Sequence, residues 1–354
     1  MSSRPKHILV LRYRFIGDTI LTVPFLRNLR RAEPEAYIAW VVAPGSSDIV
    51  QGIPYVNELI YWDPPTIHAD SRGSHRTLRS KWNFLRSLRA KRFDKAYVLK
   101  RSFSSTVMAR LSGAPERVGF ATEGRSLLLT KRVPYLHDRH EVLNFLEVLR
   151  ADGVPVVDDQ LELWVSPAEQ QAAAEFLARS GASDKPLLAV HPFGSLFHKT
   201  WPMERFAEAA TRLAGRHGFT PVVLGGPRDR ETFEKARALF PKNTCDLVGK
   251  HTLRMTLAVL ARCSLFFGND SGIMHLAAAV GAPVVAIFGP TSPVRFGPWG
   301  PHTQVLSVPR PCAHCRERNV TECERAENGR AYCVLEISVD QAVETCERML
   351  TKSA

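Results

Sequence analysis

Short apolar runs recur along the chain, each followed by a loop and then by a segment whose apolar positions return at helical spacing. His7 to Arg12 (HILVLR) is the first, continuous in the manner of a strand buried on both faces, and from Asp18 to Ala32 the spacing turns helical. Tyr37 to Ala43, Leu59 to Trp62 and Lys95 to Leu99 repeat the strand pattern, which predicts a parallel sheet with crossover helices. Around Asp152 to Ser166 the pattern gives way to extended chain carrying Pro and Asp, a linker out of which Pro167 to Ser180 leads as an amphipathic helix. The alternation then restarts. Strands are expected at Leu187 to His191, Pro221 to Leu224, Leu265 to Gly268 and Val284 to Phe288, with helices at Pro202 to Arg216, Arg230 to Phe240 and Gly272 to Val280.

The expected fold class is therefore α/β, with two Rossmann-like doubly wound domains over 1–165 and 166–354. A last helix, Val339 to Leu350, is free to pack on either domain, including back on the first. Such folds bind ligands outside the carboxyl ends of their strands, and two in tandem are expected to face each other across a cleft.

Composition adds a size and a charge. At 354 residues, 45% apolar and 23% charged, the chain has the make-up of an ordinary globular protein too long for one core. Its start offers only a brief apolar run before Arg12 and Arg14, without a small-residue cleavage site, so no signal peptide is expected. Leu276 to Phe288 is broken by Gly281 and Pro283 and falls short of the ~20 residues a spanning helix needs. A cytoplasmic protein is the expectation.

Lys and Arg exceed Asp and Glu by 47 to 35, a net charge of +12 that favours anionic partners. The cations thicken between Arg72 and Arg101, through Arg76, Arg79, Lys81, Arg86, Arg89, Lys91, Arg92, Lys95 and Lys100. That stretch reads either as a solvated helix face or as a surface for a phosphate-bearing glycolipid or an anionic membrane. No zinc-finger spacing, RRM-like aromatic motif or basic heptad region supports a nucleic-acid partner. Of the seven cysteines, Cys245, Cys263 and Cys346 read as core or helix residues. Cys312, Cys315, Cys323 and Cys333 begin with C-x-x-C and admit a structural zinc site, with unligated thiols or a disulfide as the alternatives.

The candidate chemistry sits in the loops after the strands. The first, Arg12-Tyr13-Arg14-Phe15-Ile16-Gly17-Asp18, lacks the G-x-G-x-x-G of a dinucleotide-binding turn, which counts against a dehydrogenase. Asp18 is either a helix-terminal carboxylate or a base for an attacking hydroxyl. Gly268-Asn269-Asp270-Ser271-Gly272 ends a strand and opens a helix running through His275, and the free N–H groups of such an end suit a phosphate. Small Gly272 admits a ligand to the backbone, Ser271 offers a hydroxyl, and Asp270 would repel phosphate and is placed toward sugar hydroxyls. Asp270 as an N-cap and His275 as a core histidine are the structural alternatives.

The loop Pro192 to Pro202 contains Ser195 and Lys199, where a cation could offset the charge of a departing diphosphate. After Pro221 to Leu224, the turn Gly225-Gly226-Pro227-Arg228-Asp229-Arg230-Glu231 offers Asp229 first, then Glu231, to hold a ribose; turn and cap duty is the competing role.

Together these residues resemble the family of the lipopolysaccharide heptosyltransferases. The resemblance rests on Gly17-Asp18 with Ile20-Leu21-Thr22-Val23-Pro24 and Leu26, on Lys199-x-Trp201-Pro202, on Asp270-Ser271-Gly272-x-Met274-His275-Leu276-Ala277, and on Phe288-Gly289-Pro290-Thr291-Ser292-Pro293. The D-S-G-x-x-H block is the most specific part. The resemblance implies a GT-B fold, an acceptor held mainly by the first domain, an ADP-sugar held by the second, and transfer of heptose to the inner core of lipopolysaccharide with inversion and without metal or cofactor. By the same resemblance, Asp18 is the general base and Lys199 binds the diphosphate. Ser271 and Gly272 bind phosphate or nucleotide, while Asp270 and His275 organise the donor sugar. Adenosine lies near Asp229 and the loop from Val248 to Thr252.

Acceptor contacts are expected from Arg12, Arg14, Gly17, Arg86, Arg89 and Arg92. The acceptor would be lipopolysaccharide or its lipid A-Kdo precursor, met at the cytoplasmic face of the inner membrane. The rivals are a nucleotide-sugar epimerase of related fold and, more remotely, a non-catalytic basic nucleic-acid-binding protein.

Overall fold

The computed structural model describes residues 5–65, 73–182, 185–309, 312, 323 and 326–353. The chain forms two compact units, Met1–Gln160 and Leu161–Ala354. Their division falls inside the expected linker but later than its start, because chain beyond Asp152 is bound to the first unit. The Asn28 amide, buried in the helix Val23–Ala32, donates to the Asp158 carbonyl at 2.8 Å, and Arg27 and Arg31 both pair with the Asp158 carboxylate.

In the first unit the described strands are β1 (His7–Leu11), β2 (Tyr37–Val42), β3 (Glu58–Tyr61), β4 (Lys95–Val98), β5 (Glu116–Phe120) and β6 (Lys131–Val133). They form one parallel sheet in the order β3-β2-β1-β4-β5-β6. Ile8, Leu9, Val10 and Leu11 are buried because β1 is covered on both faces, which is why this strand is a continuous apolar run. The chain winds outward from β1 to β3 and then crosses to β4 on the other side of β1. The gap between the carboxyl ends of β1 and β4 is thus the topological switch point, where open α/β sheets bind ligands.

The second unit repeats the plan with β7 (Leu187–His191), β8 (Thr220–Gly225), β9 (Cys245–Val248), β10 (Leu265–Asn269), β11 (Val284–Phe288) and β12 (Thr303–Ser307), ordered β12-β11-β10-β7-β8-β9 and parallel throughout. Its switch point lies between β7 and β10. Trp201 packs edge to face on Phe206 and Phe267, which are tilted against each other, with Trp201 and Phe206 centroids 4.9 Å apart, and each such buried aromatic contributes about 2–3 kcal/mol.

The final helix, Val339–Ser353, belongs to this second unit. It packs on the helix Met203–His217, and Ala342, Val343, Cys346 and Met349 enter the same core as Phe206, Ala210 and Leu213. Among the described residues no helix is long and apolar enough to cross a membrane.

Candidate active site

At the first switch point the residues after β1 meet those after β4. Arg12 reaches over the Phe145 ring, 5.0 Å from its centroid, and its guanidinium stands 2.7 Å from the Asp18 carboxylate. The Arg12 backbone is held by Trp40, whose indole N–H donates to its carbonyl at 3.1 Å. Asp18 lies in the first turn of the helix Ile16–Leu21, but Phe15 occupies the N-cap, so the carboxylate answers to Arg12 and not to the helix end. Burial pushes its pKa up; Arg12 and Lys100 oppose that shift and the Glu141 carboxylate adds to it. A carboxylate whose proton is easily regained in this way has the character of a general base.

Lys100 was expected only as part of the basic stretch. Its ammonium stands 4.0 Å from the centre of the Tyr13 ring, and burial, with Arg14 and Arg12 adding like charge, lowers its pKa to about 7. Arg14 is exposed and holds φ at +128°, a backbone conformation that strains any side-chain-bearing residue by about 1–3 kcal/mol. Gly17 sits beside Asp18 in the first helical turn. Arg12 and Lys100 so place two cationic side chains by the Asp18 carboxylate, with Arg14 beside Lys100, an arrangement suited to an anionic hydroxyl-bearing ligand. Glu141, Trp40 and Lys100 carry no local sequence signal: the pairing of β1 with β2 and β4 brings Trp40 to Arg12 and Lys100 toward Asp18, and Glu141 comes from the start of the helix Glu141–Ala151.

At the second switch point, Lys199 in the loop after β7 and Asp270 after β10 are paired. The Lys199 ammonium is 2.9 Å from Asp270 Oδ2 and 3.2 Å from the Asp270 carbonyl, with both side chains about nine-tenths buried. Asn269 holds the same loop in place. Its Oδ1 accepts from the Trp201 backbone N–H at 3.0 Å, and its amide donates to the Pro192 carbonyl at 2.9 Å. Gly268 is required at this crossing, because a Cβ there would come within 2.8 Å of the Phe266 ring and 2.9 Å of the His191 carbonyl. His191, at the end of β7, is buried with its Nδ1 donating to the Leu224 carbonyl at 2.8 Å, and burial lowers its pKa.

Ser271 is the N-cap of the helix Gly272–Ala279, yet its hydroxyl does not cap: Ser271 Oγ is buried and has no hydrogen-bond partner among the described residues. Gly272 opens the helix, and His275 is buried one turn further on. Ser195 is exposed in the loop that carries Lys199. Asp229 folds back on its own turn, accepting from the Gly226 N–H at 2.7 Å, and Glu231 is an exposed partner of Lys235 at 2.6 Å. Val248 is buried at the end of β9, and Thr252 caps the helix Leu253–Leu260 through the Met255 N–H at 3.2 Å.

Arg86 and Arg89 are exposed on the helix Leu78–Ala90, and Arg92 lies exposed beyond its end. Of the four cysteines proposed for zinc, Cys315 lies outside the described residues; Cys312 is exposed, Cys323 half-buried and Cys333 buried. Among the described residues no group of three or more His, Cys, Asp or Glu side chains is placed to hold a metal ion.

The sequence profile of glycosyltransferase family 9 (heptosyltransferase) matches residues 81–324, more than half of the chain. The chain belongs to glycosyltransferase family 9. Among relatives in that family, the lipopolysaccharide heptosyltransferase 2 of Escherichia coli is 31% identical over 318 residues, 85% of this chain and 88% of that protein. The enzyme of the same name from Salmonella typhimurium is 32% identical over 320 residues, again 85% and 88% of the two chains. A solved glycosyl transferase family 9 structure from Veillonella parvula superposes with a TM-score of 0.84 at 27% identity, covering 99% of both chains. The family 9 assignment matches the α/β expectation: each unit is a six-stranded parallel sheet of Rossmann type, and together they are the two domains of a GT-B protein.

Proposed function

We propose that this family 9 enzyme transfers heptose from ADP-heptose to the inner core of lipopolysaccharide, with inversion at the anomeric carbon. The observation that carries this reading is the pair of differently equipped switch points. One holds a buried carboxylate among cations, and the other a buried lysine beside an uncapped helix end. The relatives' names, heptosyltransferases acting on lipopolysaccharide, support the substrate pair.

In this reading the second unit holds the donor. The ADP diphosphate meets the N–H groups of Gly272 and its neighbours, the Ser271 hydroxyl and the Lys199 ammonium. Asp270 and His275 turn toward the sugar, and the adenosine lies by Val248, Thr252 and Asp229, with Ser195 at the rim. Glu231 is given no role, because its carboxylate is spent on an exposed ion pair. The first unit holds the acceptor through Arg12, Arg14 and Lys100. Asp18 takes the proton of the attacking hydroxyl as the new glycosidic bond forms and the bond to ADP breaks. A fixed lysine does the work of charge neutralisation at the diphosphate, so a chelator leaves the rate unchanged. The enzyme works at the cytoplasmic face of the inner membrane.

The test is incubation of the full chain with ADP-heptose and a heptose-deficient lipopolysaccharide core. One equivalent of ADP released per heptose mass added is expected. ADP release that ignores the acceptor would turn the reading toward hydrolysis or epimerisation, and restoration of a chelator-treated enzyme by magnesium would overturn the metal-free mechanism.

A further inference from the structure

The cations of the basic stretch differ in what they meet. Lys91 pairs with Glu58 at 2.6 Å, and Lys95 pairs with Asp152 at 2.7 Å and Glu116 at 2.9 Å, so these charges are neutralised within the fold. Lys100 turns to Asp18. Arg101 lies over the Tyr135 ring, 3.7 Å from its centroid, Arg92 follows the end of the helix Leu78–Ala90, and Arg72 lies outside the described residues. On the helix itself Arg79, Arg86 and Arg89 make no ion pair among the described residues.

That helix (LRSKWNFLRSLRA) contains no acidic residue. Its inward face is set by Phe84 and Leu88. Both are buried, and the centre of the Phe84 ring lies 4.4 Å from that of Trp62, tilted, and 4.9 Å from that of His75, edge to face. With that phase fixed, three- and four-residue spacing sends Leu78, Trp82, Arg86 and Arg89 outward together, with Arg79 beside them. Leu78 is 85% exposed and Trp82 60% exposed. Two large apolar side chains in water on a helix of otherwise uncompensated arginines serve no purpose in the packing of this unit. Arginines around an exposed Trp and Leu are, however, the composition of a helix lying in a bilayer interface, where the indole sits at headgroup level and guanidinium groups meet lipid phosphates.

We propose that the helix Leu78–Ala90 is a membrane-interface anchor, in which Leu78 and Trp82 enter the headgroup boundary of a bilayer while Arg79, Arg86 and Arg89 meet its anionic phospholipids. Neither element suffices alone. Two side chains bury too little area for stable attachment, and the arginines act only within about a Debye length of the surface, ~8 Å at physiological salt. The combination deepens the membrane-side part of the proposed function by naming the surface that docks. It is independent of the chemistry, so its failure and that of the transferase reading are distinguishable.

Co-sedimentation of the full chain with vesicles tests it. The parent protein should bind vesicles of phosphatidylglycerol and phosphatidylcholine, bind pure phosphatidylcholine far less, and be released as salt is raised. Leu78→Ser/Trp82→Ser should weaken binding to the anionic vesicles by about tenfold or more, with thermal unfolding and ADP affinity unchanged because both side chains are exposed. Brominated lipid should quench tryptophan emission in the parent and quench it less in Trp82→Phe. Equal vesicle binding by parent and double variant would sink the proposal, as would equal binding to neutral vesicles. So would a parent that ignores vesicles but self-associates through a contact that the double variant loses, since the face would then belong to a second copy of the chain.

Discussion

Lys199 Nζ and Asp270 Oδ2, 71 residues apart, meet at 2.9 Å in the second unit and tie the loop after β7 to the end of β10. Because both are nearly buried, neither charge can be left alone cheaply: removing one partner of a buried pair costs about 3–5 kcal/mol, largely from the charge that stays behind. Lys199→Met is therefore expected to lower the unfolding temperature and also to weaken ADP-heptose binding. The double variant Lys199→Met/Asp270→Leu separates the two effects, because it strands no charge. It should recover most of the stability and none of the affinity, measured by thermal unfolding and by calorimetric titration with ADP. Full ADP affinity in the double variant would make the pair purely structural.

Asp18→Asn keeps the shape of the side chain and removes its basicity. Turnover should fall by about 10²–10⁴-fold, while ADP affinity holds, since the nucleotide is assigned to residues of the other unit. Near-normal turnover would remove Asp18 from the mechanism. Glu141 offers a finer check, because its charge helps to hold the Asp18 pKa up. Glu141→Gln should let that pKa fall, moving the acid limb of the pH–rate profile to lower pH.

The alkaline side should report Lys100. Its pKa is lowered to about 7, so the ammonium is present below that pH and lost as pH rises through it. If this cation attracts an anionic acceptor, kcat/KM for the acceptor should decline above about pH 7, because that ratio follows the ionisation of the free enzyme. Lys100→Arg stays charged across the range and should flatten the decline; Lys100→Met should show low kcat/KM at every pH. A profile of Lys100→Arg identical to that of the parent assigns the alkaline limb to another group.

How much of this was legible in the sequence follows the physics of burial. Strands covered on both faces, such as β1 and β11, announce themselves as unbroken apolar runs. The strands β5, β6, β9 and β12 lack an unbroken apolar run because they carry Glu116, Arg117, Lys131, Arg132, Asp246 and Gln304, the polar residues that outlying strands tolerate, and β6 and β9 are also short. The loops after the strands were legible as a set, since a ligand site in an open α/β sheet has only those ends to use. What each side chain does there was not. Lys199 was placed toward a diphosphate with no hint that Asp270 would hold it. Lys100 was one cation in a run, and Asn269 was a letter in a motif, because β1 meets β4 and β7 meets β10 only after the sheets form. Asp229 turned to its own Gly226 N–H and Glu231 to Lys235, the local partners that a turn of charged residues always offers.

Ser271 gives the sharpest separation of stability from function. Its Oγ is buried at the start of the helix Gly272–Ala279 and has no hydrogen-bond partner among the described residues, and an unsatisfied buried hydroxyl costs about 1–3 kcal/mol. Most N-cap serines stabilise their helices, and replacing them with alanine costs about 1 kcal/mol. Here the cap bond is not made, so Ser271→Ala deletes a desolvated group and loses no contact. The unfolding temperature should stay level or rise. A donor phosphate at the helix end would supply the missing acceptor, so the same substitution should weaken ADP-heptose binding by about tenfold, the worth of one hydrogen bond to a charged group. Thermal unfolding and ADP titration on one preparation read both quantities. Lower stability with unchanged affinity would show Ser271 to be an ordinary cap, and the helix end would lose its place as the phosphate site.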